Sequence, residues 1–331
     1  MRYLNLRKIK SGKKFNFLKY GLFINQWARK KISKLAIGND NQPDYDSAAP
    51  IWDHWLETGA NAFDNSYVYK DGLSEKVLGE WIKKRNNADD LVIIAKGAHT
   101  PDCHPNKIKE QLEISMDRMN ISKADIYIMH RDNLDVPVSE FVDSLNEIVD
   151  LGYTNVIGVS NWSLERFKKA DQWAQDSNKH GLDILNNNLS LARMMKPLWP
   201  GCITANDPEV LKYLNESQKT HISWSSQARG YFLRQETINE NEKNLNDYDD
   251  SGPLRYFDCE ENRTRRVRAQ ELAVKYEVET HNIAAAWVLS QSFPSLAIIG
   301  PRKISETENS LKCLGINLTE EEISWLNLEI N

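Results

Sequence analysis

Eight short apolar runs, separated by segments of helical period, constrain this chain more than any other feature. They fall at residues 35–38, 62–64, 91–96, 126–130, 156–160, 184–189, 222–225 and 296–300. Between them the apolar side chains recur every three or four residues. Ile108, Leu112, Ser115/Met116 and Met119 make one stripe. Val138, Phe141/Val142, Leu145 and Ile148/Val149 make a second, and Leu164, Phe167, Ala170 and Trp173/Ala174 a third. Strict alternation of strand and helix implies a parallel sheet with helices covering it. With 331 residues the chain is long enough for eight such units closed into one barrel, which takes about 250 residues plus loops. No Gly-x-Gly-x-x-Gly follows the first run, which argues against an open, doubly wound nucleotide-binding sheet. The expected fold is α/β, a single-domain (β/α)8 TIM barrel over residues 32–331. Residues 1–31 form an N-terminal extension in which 15–24 alternate weakly around a Gly, as a hairpin would.

Charge and cysteine usage narrow the partners. The formal charge is −5, so no nucleic-acid partner is expected. Cys103, Cys202, Cys259 and Cys313 are scattered with neither Cys-x-x-Cys nor Cys/His metal spacing. Reduced thiols, a cytoplasmic location and no metal are the expectation. No apolar run is long enough to span a bilayer, so no membrane association is expected. The basic N-terminus (Arg2, Arg7, Lys8, Lys10, Lys13, Lys14) lacks the apolar core of a signal peptide. Nothing in the composition argues against a homo-oligomer.

Chemistry-bearing residues stand at the ends of the runs. The second run ends in Asp64, and a polar loop carries Tyr69 five residues later. Ser74 and Glu75 then open a helix whose apolar side takes Leu73, Val77, Leu78, Trp81 and Ile82. The third run ends in Lys96, a charge that burial obliges to find a partner, and Asp64 on the neighbouring strand can supply it. The fourth ends in His130. Parallel α/β proteins place their chemistry at this end of the strands.

The stretch Asp64-x-x-x-x-Tyr69 followed by Gly72-x-Ser74-Glu75, with Lys96 and His130, resembles the aldo-keto reductases, and the resemblance extends over about residues 32–328. It implies carbonyl reduction with a catalytic Asp64/Tyr69/Lys96/His130 set. Tyr69 would donate the proton, and the Lys96 ammonium would lower its pKa. Asp64 would hold Lys96, and His130 would hydrogen-bond the substrate oxygen. The family often closes the barrel bottom with an N-terminal hairpin, a place that residues 1–31 could take.

The same resemblance assigns the cofactor contacts. Asn39 follows the first run, and Ser160 and Asn161 follow the fifth, where the family's Ser-Asn pair holds a nicotinamide carboxamide. Asn186 stands where the family usually has Gln. Trp224 takes the place that stacks on the nicotinamide ring, and Ser225, Ser226, Gln227 and Arg229 resemble a loop over the pyrophosphate. Gly300-Pro-Arg302 precedes a helix containing Ser310, and Arg302 would meet a 2′-phosphate. The cofactor implied is NADP(H) in preference to NAD(H). Glu306 and Ser310 replace the usual Gln and Asn near the adenine.

The mouth reads as polar. His99, Asp102 and His104 follow the third run, Arg131, Asp132 and Asn133 the fourth, and Trp162 the fifth. Asp102, Arg131 and Trp162 would bind substrate, and the mixture of donors and acceptors with a Trp platform suits a sugar or other polyhydroxylated carbonyl. The plainer reading has Asp102 and Asp132 as helix caps. Two long stretches, 191–208 and the polar 233–262, read as lids or binding loops, with a disordered surface insertion as the alternative for the second. Two rival functions remain: a regulatory or binding subunit with bound cofactor and little turnover, and a Schiff-base enzyme using Lys96. The second would leave Tyr69 unexplained.

Overall fold

The structure, a computed structural model, describes residues 30–234 and 252–331. The expected N-terminal hairpin and residues 235–251 lie outside the described residues. Eight parallel strands pair in chain order and close on themselves. They are β1 (Leu35–Gly38), β2 (Ala62–Asp64), β3 (Val92–Gly97), β4 (Ile126–Met129), β5 (Val156–Ser160), β6 (Ile184–Asn186), β7 (Thr220–Ser223) and β8 (Ser295–Ile299). The first six crossovers carry α1 (Tyr45–Glu57), α2 (Leu73–Arg85), α3 (Pro105–Met119), α4 (Val138–Asp150), α5 (Leu164–Asp176) and α6 (Pro208–Ser217). Between β7 and β8 come α7 (Gly252–Phe257), α8 (Glu260–Tyr276) and α9 (Thr280–Leu289), and α10 (Ile304–Leu311) and α11 (Glu320–Leu326) close the chain. This is the expected (β/α)8 barrel. Several runs outlast their strands: His130, residues 187–189, Trp224, Ser225 and Gly300 lie just beyond the ladder. Apolar patterning reports burial, which continues past the last strand hydrogen bond.

The two-residue period of a strand builds the site. Ala36, Ala62, Val92, Ile94, Ile126, Ile128, Val156, Ile184, Ile222 and Leu296 share one buried cluster, the barrel's interior. Their alternates Leu35, Ile37, Phe63, Ile93, Tyr127, Ile157 and Leu185 belong to the larger cluster formed with the helices. Two steps along from an interior residue, the inward series turns polar. Ala62 leads to Asp64, Ile94 to Lys96, Ile128 to His130, Ile184 to Asn186 and Ile222 to Trp224. An apolar plug thus floors a polar ring.

Two apolar stripes bury as expected, with two exceptions elsewhere. Leu73, at the first position of α2, is 44% exposed. Trp173 is 39% exposed and donates its indole N–H to Asp143 Oδ1 at 3.0 Å, so it packs along the surface of α5. The described part of stretch 233–262 is not a surface insertion. It forms α7 and the start of α8, and buries Leu254, Phe257 and Asn262. Asn262 exchanges side-chain hydrogen bonds with the Arg193 backbone, and Met195 N–H donates to Tyr256 O. The two long stretches therefore pack against each other. Among the described residues, no helix is long and apolar enough to cross a membrane.

Candidate active site

The loop after β2 is tightly determined. Lys70 and Asp71 adopt positive φ (50° and 54°), and Gly72 follows at 84° as the N-cap of α2. The φ favours glycine, and a Cβ there would lie 2.5 Å from Arg118 Cζ, so any larger residue would also displace the guanidinium. Arg118 in turn donates to Glu75 Oε2 (3.0 Å) and to Tyr67 O (3.1 Å). Glu75 is fully buried. It is thus more than a helix-opening acid: through Arg118 it anchors the loop that presents Tyr69. Lys70 Nζ adds a tie to Gln42 O at 2.7 Å.

Lys96 is buried at the centre of the ring. Its ammonium donates to Asp64 Oδ2 at 2.7 Å and to Tyr69 Oη at 2.8 Å. The His130 ring lies edge-on to Tyr69, 5.8 Å between centroids, with its Nδ1 2.9 Å from Ser66 Oγ. The four residues expected from three strand ends and the loop after β2 are therefore brought together. Burial works against the Lys96 charge, but the Asp64 carboxylate and the Tyr69 oxygen outweigh it and hold Lys96 above the ordinary lysine value. Burial also raises the Tyr69 hydroxyl, and the Lys96 attraction offsets only part of that. This corrects the expectation that Lys96 brings the phenol below its free value: in this closed site desolvation wins. Burial, then Lys96, His99 and Arg131, push His130 well below the ordinary histidine value, so its imidazole is neutral.

The mouth departs from the expected open polar rim. Trp162 is 1% exposed, packs on Phe141 and Arg166, and donates its indole N–H to Arg131 O. It is a buried support, not a platform for substrate, because Phe141 of α4 and Arg166 of α5 pack on its ring. Both Asp132 oxygens are held by Arg166, and Asn133 donates to Cys103 O. Neither Asp102 nor Asp132 is a helix cap: His104 and Pro137 hold the N-cap positions of α3 and α4. Asp102 is exposed, and its carboxylate accepts a long hydrogen bond from Gln111 Nε2 at 3.5 Å. Arg131 is buried, reaching His99 Nε2 and Cys202 Sγ.

Beside this centre lie buried polar atoms with no partner. They are both side-chain polar atoms of Asn39, Oδ1 of Asn186, Nε1 of Trp224 and Nε2 of Gln227. They end or follow three strands: Asn39 after β1, Asn186 at the end of β6, and Trp224 and Gln227 after β7. Orphaned buried polar atoms in one region need a partner, and a nicotinamide cofactor with amide, hydroxyl and phosphate groups fits that donor and acceptor set. Other expected contacts are already engaged. Ser160 Oγ donates to Asn186 O (2.6 Å), and Ser226 Oγ to Ile298 O (2.7 Å). Asn161, at φ 60°, donates to Ser160 Oγ and accepts from Ile203 N–H. Ser225 and Arg229 also take positive φ, and Arg229 is exposed with its guanidinium over Trp199. Ser310 is buried in the last turn of α10.

At the far end, Gly300 O accepts from Asn41 Nδ2 (2.8 Å), and Arg302 is exposed. The Arg302 backbone N–H donates to Glu306 Oε2 at 2.7 Å. The N–H just ahead of the Lys303 N-cap of α10 thus already faces a carboxylate.

The family model described as the aldo/keto reductase family matches residues 33–327. The chain belongs to the aldo/keto reductase family. Among curated relatives, an uncharacterized oxidoreductase of Bacillus subtilis, YrpG, is 24% identical over 316 residues, covering 90% of this chain and 92% of its own. The norsolorinic acid reductase stcV of Emericella nidulans is 24% identical over 315 residues, covering 91% and 74%. Two solved structures share the fold. The glycerol dehydrogenase of Gluconobacter oxydans superposes with TM-score 0.72 at 20% identity, over 91% of this chain and 92% of that one. A thermostable aldo-keto reductase crystallised with the inhibitor epalrestat gives 0.69 at 19%, over 91% and 96%.

Sequence reasoning missed three supports of this aldo/keto reductase site: Ser66 on His130, the Glu75–Arg118 pair, and the His99–Arg131 contact. Ser66 lies inside the very motif that was read, but a serine in a loop carries no signal of which side chain it will meet.

Proposed function

We propose that this chain reduces an aldehyde or ketone to an alcohol with NADPH, using Tyr69 as the proton donor. The observation that carries the reading is the Lys96 ammonium, buried and bridging Asp64 Oδ2 and Tyr69 Oη. Because Lys96 can only donate, Tyr69 receives through its oxygen, and its own proton is free for the substrate. A bound nicotinamide supplies the hydride. Residues Asn39, Asn186, Trp224 and Gln227, with unpartnered buried polar atoms, would hold it. When Tyr69 yields its proton, the phenolate stands 2.8 Å from Lys96 Nζ and is stabilised in place. His130 is held neutral and far from protonation, so it serves as a hydrogen-bond donor to the substrate oxygen and not as the acid. Asp64 keeps the lysine charged and oriented.

A sugar or other polyhydroxylated carbonyl remains the proposed substrate type, now resting on Arg131, His99 and the exposed Asp102 without Trp162. The decisive experiment is NADPH consumption with a panel of aldehydes by the wild type, Tyr69→Phe and Lys96→Met. Tyr69→Phe should lower turnover about 10²–10⁴-fold with NADPH affinity little changed. Lys96→Met should be as damaging, with a displaced rate–pH profile for the residual activity. Near-normal turnover by Tyr69→Phe overturns the mechanism. A wild type that binds NADPH and consumes none with any aldehyde points to a binding subunit.

A further inference from the structure

We propose that Arg131 binds a carboxylate on the carbonyl substrate, so that this reductase prefers acidic aldehydes or ketones to neutral ones. The inference rests on the reductase reading above and names the substrate class it would serve.

Arg131 directly follows His130 in the chain and is 7% exposed. A guanidinium always carries its charge, and a buried charge is normally met by an opposite one. Here it is not. Nε donates to His99 Nε2 at 3.1 Å and Nη1 to Cys202 Sγ at 2.9 Å. The state of His99 follows from its partners. Its Nδ1 is 2.8 Å from Thr100 O, which can only accept, so Nδ1 carries the proton. Its Nε2 then offers a lone pair to Arg131. His99 is a neutral acceptor, and a thiol is a weak one. The nearest carboxylate in sequence, Asp132, is held by Arg166 through both oxygens. No carboxylate among the described residues pairs with Arg131, and the remaining nitrogen, Nη2, is neither hydrogen-bonded nor sealed from solvent. One edge of a buried cation is therefore open and uncompensated.

The guanidinium borders the site through His99. His99, which holds Arg131, stacks edge-on against His130 with 4.9 Å between ring centroids, and the Arg131 charge depresses the protonation of both imidazoles. Lys96, the buried cation of the ring, is already matched by Asp64. Arg131 is the cation still lacking an anion, and its planar edge suits the two oxygens of a carboxylate.

The test compares 4-carboxybenzaldehyde with its methyl ester, methyl 4-formylbenzoate. Binding to the NADPH-loaded protein is measured by calorimetry, and kcat/KM by NADPH absorbance. The acid is expected to lead the ester by about tenfold or more in both, as a charge-assisted contact would give. The lead should collapse in Arg131→Gln and survive in part in Arg131→Lys, with melting temperatures checking that each variant folds. Equal binding and equal turnover of the two aldehydes in the wild type overturn the proposal and leave the reductase reading standing. A binding preference without turnover of either keeps the anion site and overturns the reductase reading. An acid preference undiminished in folded Arg131→Gln assigns it to another residue and overturns the proposal. Should Arg131→Gln fail to fold, the wild-type ratio and Arg131→Lys decide.

Discussion

Ser66 Oγ lies 2.9 Å from His130 Nδ1, and 3.4 Å from Lys96 O. A hydroxyl has one proton to give, and the imidazole is the nearer acceptor. If the hydroxyl gives its proton to Nδ1 and not to Lys96 O, the neutral His130 carries its own proton on Nε2, the form able to donate to a substrate oxygen. Ser66 is fully buried, so no water replaces it without cost.

Removing that hydroxyl should release the tautomer. In Ser66→Ala, the ¹⁵N shifts of His130 should move from one tautomer toward a mixture, while NADPH affinity stays unchanged. One hydrogen bond of about 0.5–1.5 kcal/mol corresponds to a fall in turnover of roughly two- to tenfold. Unaltered ¹⁵N shifts in the variant would show that another group orients the ring.

Arg302 is expected to set cofactor choice, because a guanidinium pairs with a phosphate dianion far better than with a ribose hydroxyl. Arg302→Ala should weaken NADPH about ten- to hundredfold, equivalent to ~1.5–3 kcal/mol, and leave NADH nearly untouched. Glu306 sharpens the test. Its carboxylate accepts from Arg302 N–H at 2.7 Å, so it repels a phosphate and occupies a donor. Glu306→Gln should therefore tighten NADPH a few-fold, about 1 kcal/mol or less for an exposed charge. The readout is a fluorescence titration of both cofactors, and equal wild-type affinities for NADH and NADPH would remove Arg302 from this role.

His221 gives a pH prediction for stability. It is fully buried in β7, near Ser223 Oγ, with Nε2 unpartnered, and burial pushes its pKa down to about 3. The unfolded chain protonates the same residue near ~6.5. Below that pH the unfolded state binds the extra proton. Stability from this residue is thus complete above pH ~6.5 and is lost as pH falls toward about 3, at about 1.4 kcal/mol per pH unit. His99, His130 and His281 are depressed too and act in the same direction, while His180, raised by Asp183, acts oppositely. Urea unfolding at pH 7 and pH 5 isolates His221 by difference. His221→Gln should lose about 2 kcal/mol less than the wild type between the two. Equal losses would mean that His221 is protonated at pH 5 in the folded chain.

Burial and function were unequally legible along the chain. The strand runs, the helical stripes and the barrel could be read because periodicity is local and repeated. Asp64, Lys96 and His130 could be read because each is a polar residue ending an apolar run, and such a residue must face a partner or a ligand. Trp162 misled because an aromatic near a strand end has the same local pattern whether it lines the mouth or lies beneath it. Trp173 misled because one indole can close a helical stripe and still pack along the surface against Asp143.

The sequence by itself determined the alternation of strand and helix, the inward parity that puts acid, lysine and histidine on one ring, and the family. Each of these depends on spacing within a short stretch. Tertiary structure alone decided which charges are matched and which are left over. Glu75 finds Arg118 across 43 positions, Asp132 finds Arg166 across 34, and Arg131 is left with His99 and Cys202. It also decided that burial outweighs Lys96 in setting the Tyr69 hydroxyl. Ionic pairing and desolvation depend on what approaches within a few ångströms, and a linear sequence does not state that distance.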